Sequence, residues 1–111
     1  MNGKEYQSLA MRTAPNGLMP DDKAINAALG LTGEAGEFAD IVKKYMYQGH
    51  RLDPNHLAKE LGDILWYVAM GCEAIGVNMD KVMAMNIEKL KARYPEGFDS
   101  EKSQHRAEGD I

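Results

Sequence analysis

Between Asp22 and Tyr47 the chain runs without a proline, and its apolar residues Ala24, Ala28, Leu31, Ala35, Phe38, Val42 and Tyr45 step by 4, 3, 4, 3, 4 and 3. That period belongs to a helix with one apolar seam, and such a seam needs a partner helix. Gly30, Gly33 and Gly36 lie in the same stretch, and each weakens helix propensity by roughly 1 kcal/mol relative to alanine. A long helix that keeps them is expected to have something pressed close to its backbone.

The rest of the chain reads in the same period. Asp53-Pro54 has the form of an N-cap followed by proline at the first helical position. The helix it starts is expected to reach about Ile75, with Leu57, Leu61, Ile64, Val68, Cys72 and Ile75 on one stripe. Gly76-Val77-Asn78 ends it, and Asn78 is expected to cap a further helix from Met79 to about Tyr94, which Pro95-Glu96-Gly97 stops. A shorter helix, about Lys4 to Thr13, precedes a loop that closes at Pro20-Asp21-Asp22, where either aspartate can cap the long helix. No segment alternates as a strand would. The expected fold is all-α, an antiparallel bundle of about four helices over residues 1–98, with 99–111 as a charged, aperiodic tail that docks loosely or is disordered.

Composition narrows the function. Thirteen Lys+Arg against seventeen Asp+Glu give a net charge of −4, which argues against a non-specific nucleic-acid binder. A phosphorylated substrate remains compatible if a metal ion bridges the like charges. The single cysteine, Cys72, excludes an internal disulfide framework and fits a reducing compartment. No stretch approaches the roughly 20 apolar residues of a membrane span. A cytoplasmic protein without membrane or nucleic-acid partners is expected.

Four acids carry the chemistry: Glu34 and Glu37 on the long helix, Glu60 and Asp63 on the next. The i, i+3 spacing puts each pair on one helical face. At about 100° per residue, both pairs flank their seams on the same rotational side. Antiparallel packing, the default for a short connection, then brings both pairs to the same side of the hairpin. Their midpoints are centred on the Gln48-Gly49 turn, so all four should meet at one height. Clustered carboxylates repel unless cations sit among them, and hard oxygen ligands suit Mg²⁺ or Mn²⁺. An ordinary solvated face, its acids paired with Lys43, Lys44 or Lys59, is the competing reading of the same spacing.

Three blocks, L-T-G-E-A-G-E-F-A-D (31–40), K-E-L-G-D-I-L-W-Y (59–67) and N-I-E-K-L-K-A-R-Y-P-E-G-F (86–98), resemble the MazG-like nucleoside triphosphate pyrophosphohydrolases. These all-α enzymes carry E-x-x-E, a gap and E-x-x-D; here the gap from Glu37 to Glu60 holds 22 residues. The resemblance implies Mg²⁺-dependent hydrolysis of a nucleoside triphosphate between the α and β phosphates. It implies Glu34, Glu37, Glu60 and Asp63 as metal ligands, with Glu34 or Glu37 acting on the attacking water and Glu34 preferred. Asn86, Lys89 and Arg93 share one face of the fourth helix and, by the same resemblance, meet the phosphates. By spacing alone they are equally a solvated basic face complementing the helix dipole. Relatives assemble as dimers or tetramers, so a homo-oligomer is expected. Two alternatives stay open: an enzyme like phosphoribosyl-ATP pyrophosphohydrolase, and a non-catalytic metal-binding oligomerisation module.

A few residues stand outside these blocks. Trp66 lies opposite its helix's apolar stripe and is expected to meet a second buried surface, such as a subunit interface. Tyr6, Gln7 and Arg12 are candidates for contacts to base or ribose. His50 and His56 lack the spacing of a zinc site, and Cys72 reads as an inert packed thiol.

Overall fold

The computed structural model describes residues 1–111. It is helical throughout: α1 (Gly3–Met11), α2 (Pro20–Tyr47), α3 (Pro54–Ile75), α4 (Met79–Arg93) and α5 (Ser100–Gln104). The chain forms two compact units, Met1–Met79 and Asp80–Ile111. No helix is long and apolar enough to cross a membrane.

Local chemistry sets most of the boundaries. Asn2 caps α1 by accepting the Glu5 N–H at 2.8 Å. Asp53 caps α3 by accepting the Asn55 N–H at 3.0 Å, with Pro54 at the first helical position and Gly76 (φ 72°) ending the helix. At α2 neither aspartate is the N-cap. Met19 holds that place with Pro20 after it, and Asp22 reaches back from the third helical position to the Met19 N–H at 3.4 Å. Proline at the first turn donates nothing, so the helix begins one step earlier than the aspartates suggest.

In the first unit α2 and α3 form the antiparallel hairpin. Ala27 packs against Gly71, Gly30 against Tyr67, and Glu34 lies beside Glu60. All three pairs straddle the Gln48-Gly49 turn, so the register is the expected one. The contact face is not. It runs through Ala27, Gly30 and Glu34, one residue back from the seam, or about 100° around the helix. Ala24, Ala28 and Ala35 of that seam are exposed. The cause is the close approach that small residues allow: the Tyr67 ring lies directly over Gly30, where any Cβ would overlap it. Of the three glycines, only Gly30 is crowded; Gly33 and Gly36 face open space.

The opposite side of α3 is covered by α1. Ala69, Cys72 and Met79 form the buried cluster, with Tyr6, Ala10, Met11, Val68 and Val77 packed on it. Gln7 is buried among them and fully engaged. Its amide donates to Glu73 Oε1 (2.9 Å) and the Val77 carbonyl (3.1 Å), and its Oε1 accepts the Met79 N–H (2.8 Å). Gln7 is therefore a structural tie, buried with both amide N–H donors and its carbonyl oxygen committed to the fold and not to a base or ribose. Trp66 does meet a second buried surface, but that surface is α1 of its own chain. The indole N–H donates to the Ala10 carbonyl (3.1 Å) and Thr13 Oγ1 (2.7 Å). Burial pushes the Cys72 thiol up, as an inert thiol requires.

In the second unit the tail is ordered. Asp99 caps α5 by accepting the Glu101 N–H (2.9 Å). Beyond it, Asp110 grips Arg93 of α4 through two bonds, of 2.8 and 2.7 Å. An aperiodic charged segment carries no sequence signal for such a pair, so the expected looseness is not what folding delivers.

The crowding at residue 30 is testable. Gly30→Ala should destabilise the protein by about 1–3 kcal/mol through overpacking. Gly33→Ala, in open space, should instead gain roughly 0.5–1 kcal/mol from helix propensity. Urea midpoints of the two variants beside the wild type decide this.

Candidate functional site

The acids of α2 and α3 meet on the helix–helix contact itself. Glu34, Glu37 and Glu60 each offer one carboxylate oxygen, and these oxygens lie within 4.8 Å of one another. Glu60 is 12% exposed. One oxygen of Glu34 and one of Glu60 are buried with no hydrogen-bond partner. Two buried carboxylate oxygens without partners on neighbouring acids are costly, and a divalent cation is the simplest group that would satisfy them. The donor set, oxygen only, suits a hard ion. These residues fit a divalent metal.

Electrostatics agrees with the geometry. The Glu34 carboxyl is pushed up to about 7 from its ordinary 4.5, first by desolvation, then by a hydrogen bond shared with Glu60 and the charges of Glu37, Asp63 and Glu60. Asp63 is not in the three-oxygen cluster. It stands on the other flank of Glu34, where Asp63, Trp66 and Tyr67 line a small cavity with it. Tyr6 reaches the same neighbourhood, and its phenol is pushed up by burial and by the Asp63 charge. Glu34 is thus central, with Glu37 and Glu60 on one side and Asp63 on the other.

Beside the three-oxygen cluster opens a cleft of about 400 Å³, lined by Gly33, Gly36, Asp40, Lys44 and His56 together with Glu37 and Glu60. The two uncrowded glycines leave its wall bare. His56 Nε2 lies 3.5 Å from Glu60 Oε1. Lys44 bonds Asp40 at 2.8 Å and holds its carboxyl below the usual range. The lysine pairing of a solvated face therefore exists one turn away, on Asp40, while the clustered acids have none. By sequence His56 reads only as a failed zinc ligand and Lys44 only as a salt-bridge partner of the acids; the i, i+4 spacing of His56 to Glu60 and the seven-residue step from Glu37 to Lys44 are the signals that place both beside the cluster.

Asn86, Lys89 and Arg93 lie on α4, in the second unit. Arg93 is the engaged member, bonded to Asp110 with both side chains mostly covered.

Among known proteins, a family model described as the MazG nucleotide pyrophosphohydrolase domain matches residues 24–98. The gene 37 protein of Mycobacterium phage L5 is 37% identical over an aligned stretch of 73 residues that covers 62% of this chain and 64% of that protein. The match thus spans less than two-thirds of that relative's length. No solved structure matches.

The raised Glu34 carboxyl predicts a pH dependence of stability in EDTA. Its folded-state value lies above the ordinary one, so its contribution is fully present below about 4.5 and is lost as pH rises towards 7. Melting temperatures measured from pH 7.5 down to about 5 should rise in the wild type, and Glu34→Gln should flatten that slope. A Mg²⁺ titration at pH 7.5 should raise the wild-type melting temperature and leave that of Glu34→Gln nearly unmoved.

Proposed function

We propose, from the premise that this chain belongs to the MazG nucleotide pyrophosphohydrolase family, that it hydrolyses (deoxy)nucleoside triphosphates between the α and β phosphates, using Mg²⁺ or Mn²⁺. The observation that carries this reading is the three-oxygen cluster with two buried, partnerless carboxylate oxygens. Glu34, Glu37 and Glu60 would hold the ion, with Asp63 completing the acidic set across Glu34. When bound, the ion supplies counter-charge to the triphosphate and lowers the pKa of bound water.

The chain's own residues do the rest. Glu34 lies between the other acids and is the carboxylate best placed to orient the attacking water and take its proton. Water oxygen attacks the α phosphorus, the bond to the α–β bridging oxygen breaks, and pyrophosphate leaves with a nucleoside monophosphate as the second product. Lys89 and Arg93 are assigned to the β and γ phosphates, and Asn86 to a phosphate oxygen or a ligand carboxylate. Neutralising that end of the substrate is work the acids cannot do.

The working form is a homo-oligomer, dimer or tetramer. Support comes from the apolar residues that one chain leaves bare: Ala24, Ala28, Ala35 and Tyr45 of the α2 seam, and Leu61, Leu65 and Ile75 on α3, which are 50%, 46% and 72% exposed. Apolar side chains repeated along two neighbouring helices are what a helical partner would cover.

A panel of ribo- and deoxynucleoside triphosphates with phosphoribosyl-ATP, run with Mg²⁺ and with EDTA, tests the activity. Metal-dependent release of pyrophosphate is expected. Glu37→Gln should cut it by roughly 100-fold or more while the protein stays folded. Bound Mg²⁺ without turnover on any member would make this a non-catalytic module.

A further inference from the structure

The second unit holds a cavity of about 510 Å³, a volume typical of small-molecule sites. Lys89 and Arg93 contribute to its wall from α4. Lys102 and Arg106 contribute from the segment beyond residue 98, with His105 beside them. Two acids, Glu108 and Asp110, also line it. Permanent cations thus outnumber anions by four to two, in a protein whose net charge is −4. The cavity gathers the positive charge that the chain as a whole lacks.

The less exposed of its two acids, Asp110, is informative. Both oxygens of Asp110 accept bonds from Arg93, at 2.8 Å from Nε and 2.7 Å from Nη2, with the two side chains 17% and 10% exposed. This is the two-pronged geometry by which a guanidinium grips a phosphate as readily as a carboxylate. Arg93 holds the Asp110 carboxyl below the usual range, with Arg106 and Lys89 adding to it. Three cations from two separate segments therefore already converge on one anionic group.

We propose that α4 and residues 99–111 form a pocket for a linear oligophosphate, in which Lys102 and Arg106 join Lys89 and Arg93, and that Asp110 stands in the place a phosphate takes. The choice of oligophosphate over another anion rests on the reading given under Proposed function. Residues 99–111 lie beyond the matched stretch, 24–98, so the family match assigns no role to Lys102, Arg106 or Asp110. The ligand is either the β,γ end of a nucleotide or free pyrophosphate; the chemistry recognised is the same.

Calorimetric titration of the full chain in EDTA, where the carboxylate cluster holds no ion, tests the pocket with two probes: inorganic pyrophosphate and a non-hydrolysable α,β-methylene triphosphate. At least one should bind, and which one does identifies the source. Lys102→Ala with Arg106→Ala should weaken binding roughly tenfold, and Asp110→Asn, by freeing Arg93, should tighten it roughly threefold. Lys102 and Arg106 are exposed, so their loss leaves the packing intact. Binding of neither probe, indifference to the Lys102/Arg106 change, or weaker binding in Asp110→Asn overturns the proposal. The nucleotide-panel assay keeps the two readings apart. Turnover with a titration insensitive to the tail sinks the pocket alone, and tail-dependent binding without turnover sinks the hydrolase reading alone.

Discussion

Like charge at the contact between the two longest helices is the condition to which the rest of the first unit answers. Glu34 and Glu60 each keep one carboxylate oxygen buried with no partner, and the charges of Glu37 and Asp63 add to theirs. Repulsion alone would part the helices there. The attraction that opposes it lies along the contact and behind it. Ala27 packs on Gly71, the Tyr67 ring lies on Gly30, and α1 braces the far side of α3 through Trp66 and Gln7. A site that gathers like charges has to be built on a scaffold that does not yield, and α3, held by α2 on one face and by α1 on another, supplies it.

Much of this was readable beforehand, and the reasons are physical. Proline and glycine positions gave the helices, because those residues act on the backbone locally. The register of the hairpin followed from a short turn and two matched acidic pairs. The rotation of the helices did not follow, because periodicity records which residues are apolar and not which are small enough to touch first. Ala27, Gly30 and Gly71 won the contact from the larger Leu31 and Phe38. The same shift carries Glu34 from the flank of the interface into it.

What the sequence hid entirely was long-range and polar. Gln7, sixty-six residues from Glu73, reads as a candidate contact to base or ribose until the fold brings its partners round it. Asp110 is one acid in a segment full of charges, and nothing local selects Arg93 as its partner. Such pairs depend on tertiary placement, which neither composition nor period encodes. The apolar residues left bare on α2 and α3 are the reverse case: clear in the sequence, yet without a partner inside one chain.

The Tyr67 ring and Gly30 sit one helical turn from Asp63 and Glu34 respectively. Together they act as a shim between two beams: ring thickness sets how far apart the helix backbones run at the height of the acids. The gap available to an ion is therefore gauged by an apolar contact that bears no charge and touches no substrate. Exchange of either residue would retune that gap while every ligand kept its identity. A change of metal preference in this architecture would be sought at positions 30 and 67 before it was sought among the carboxylates.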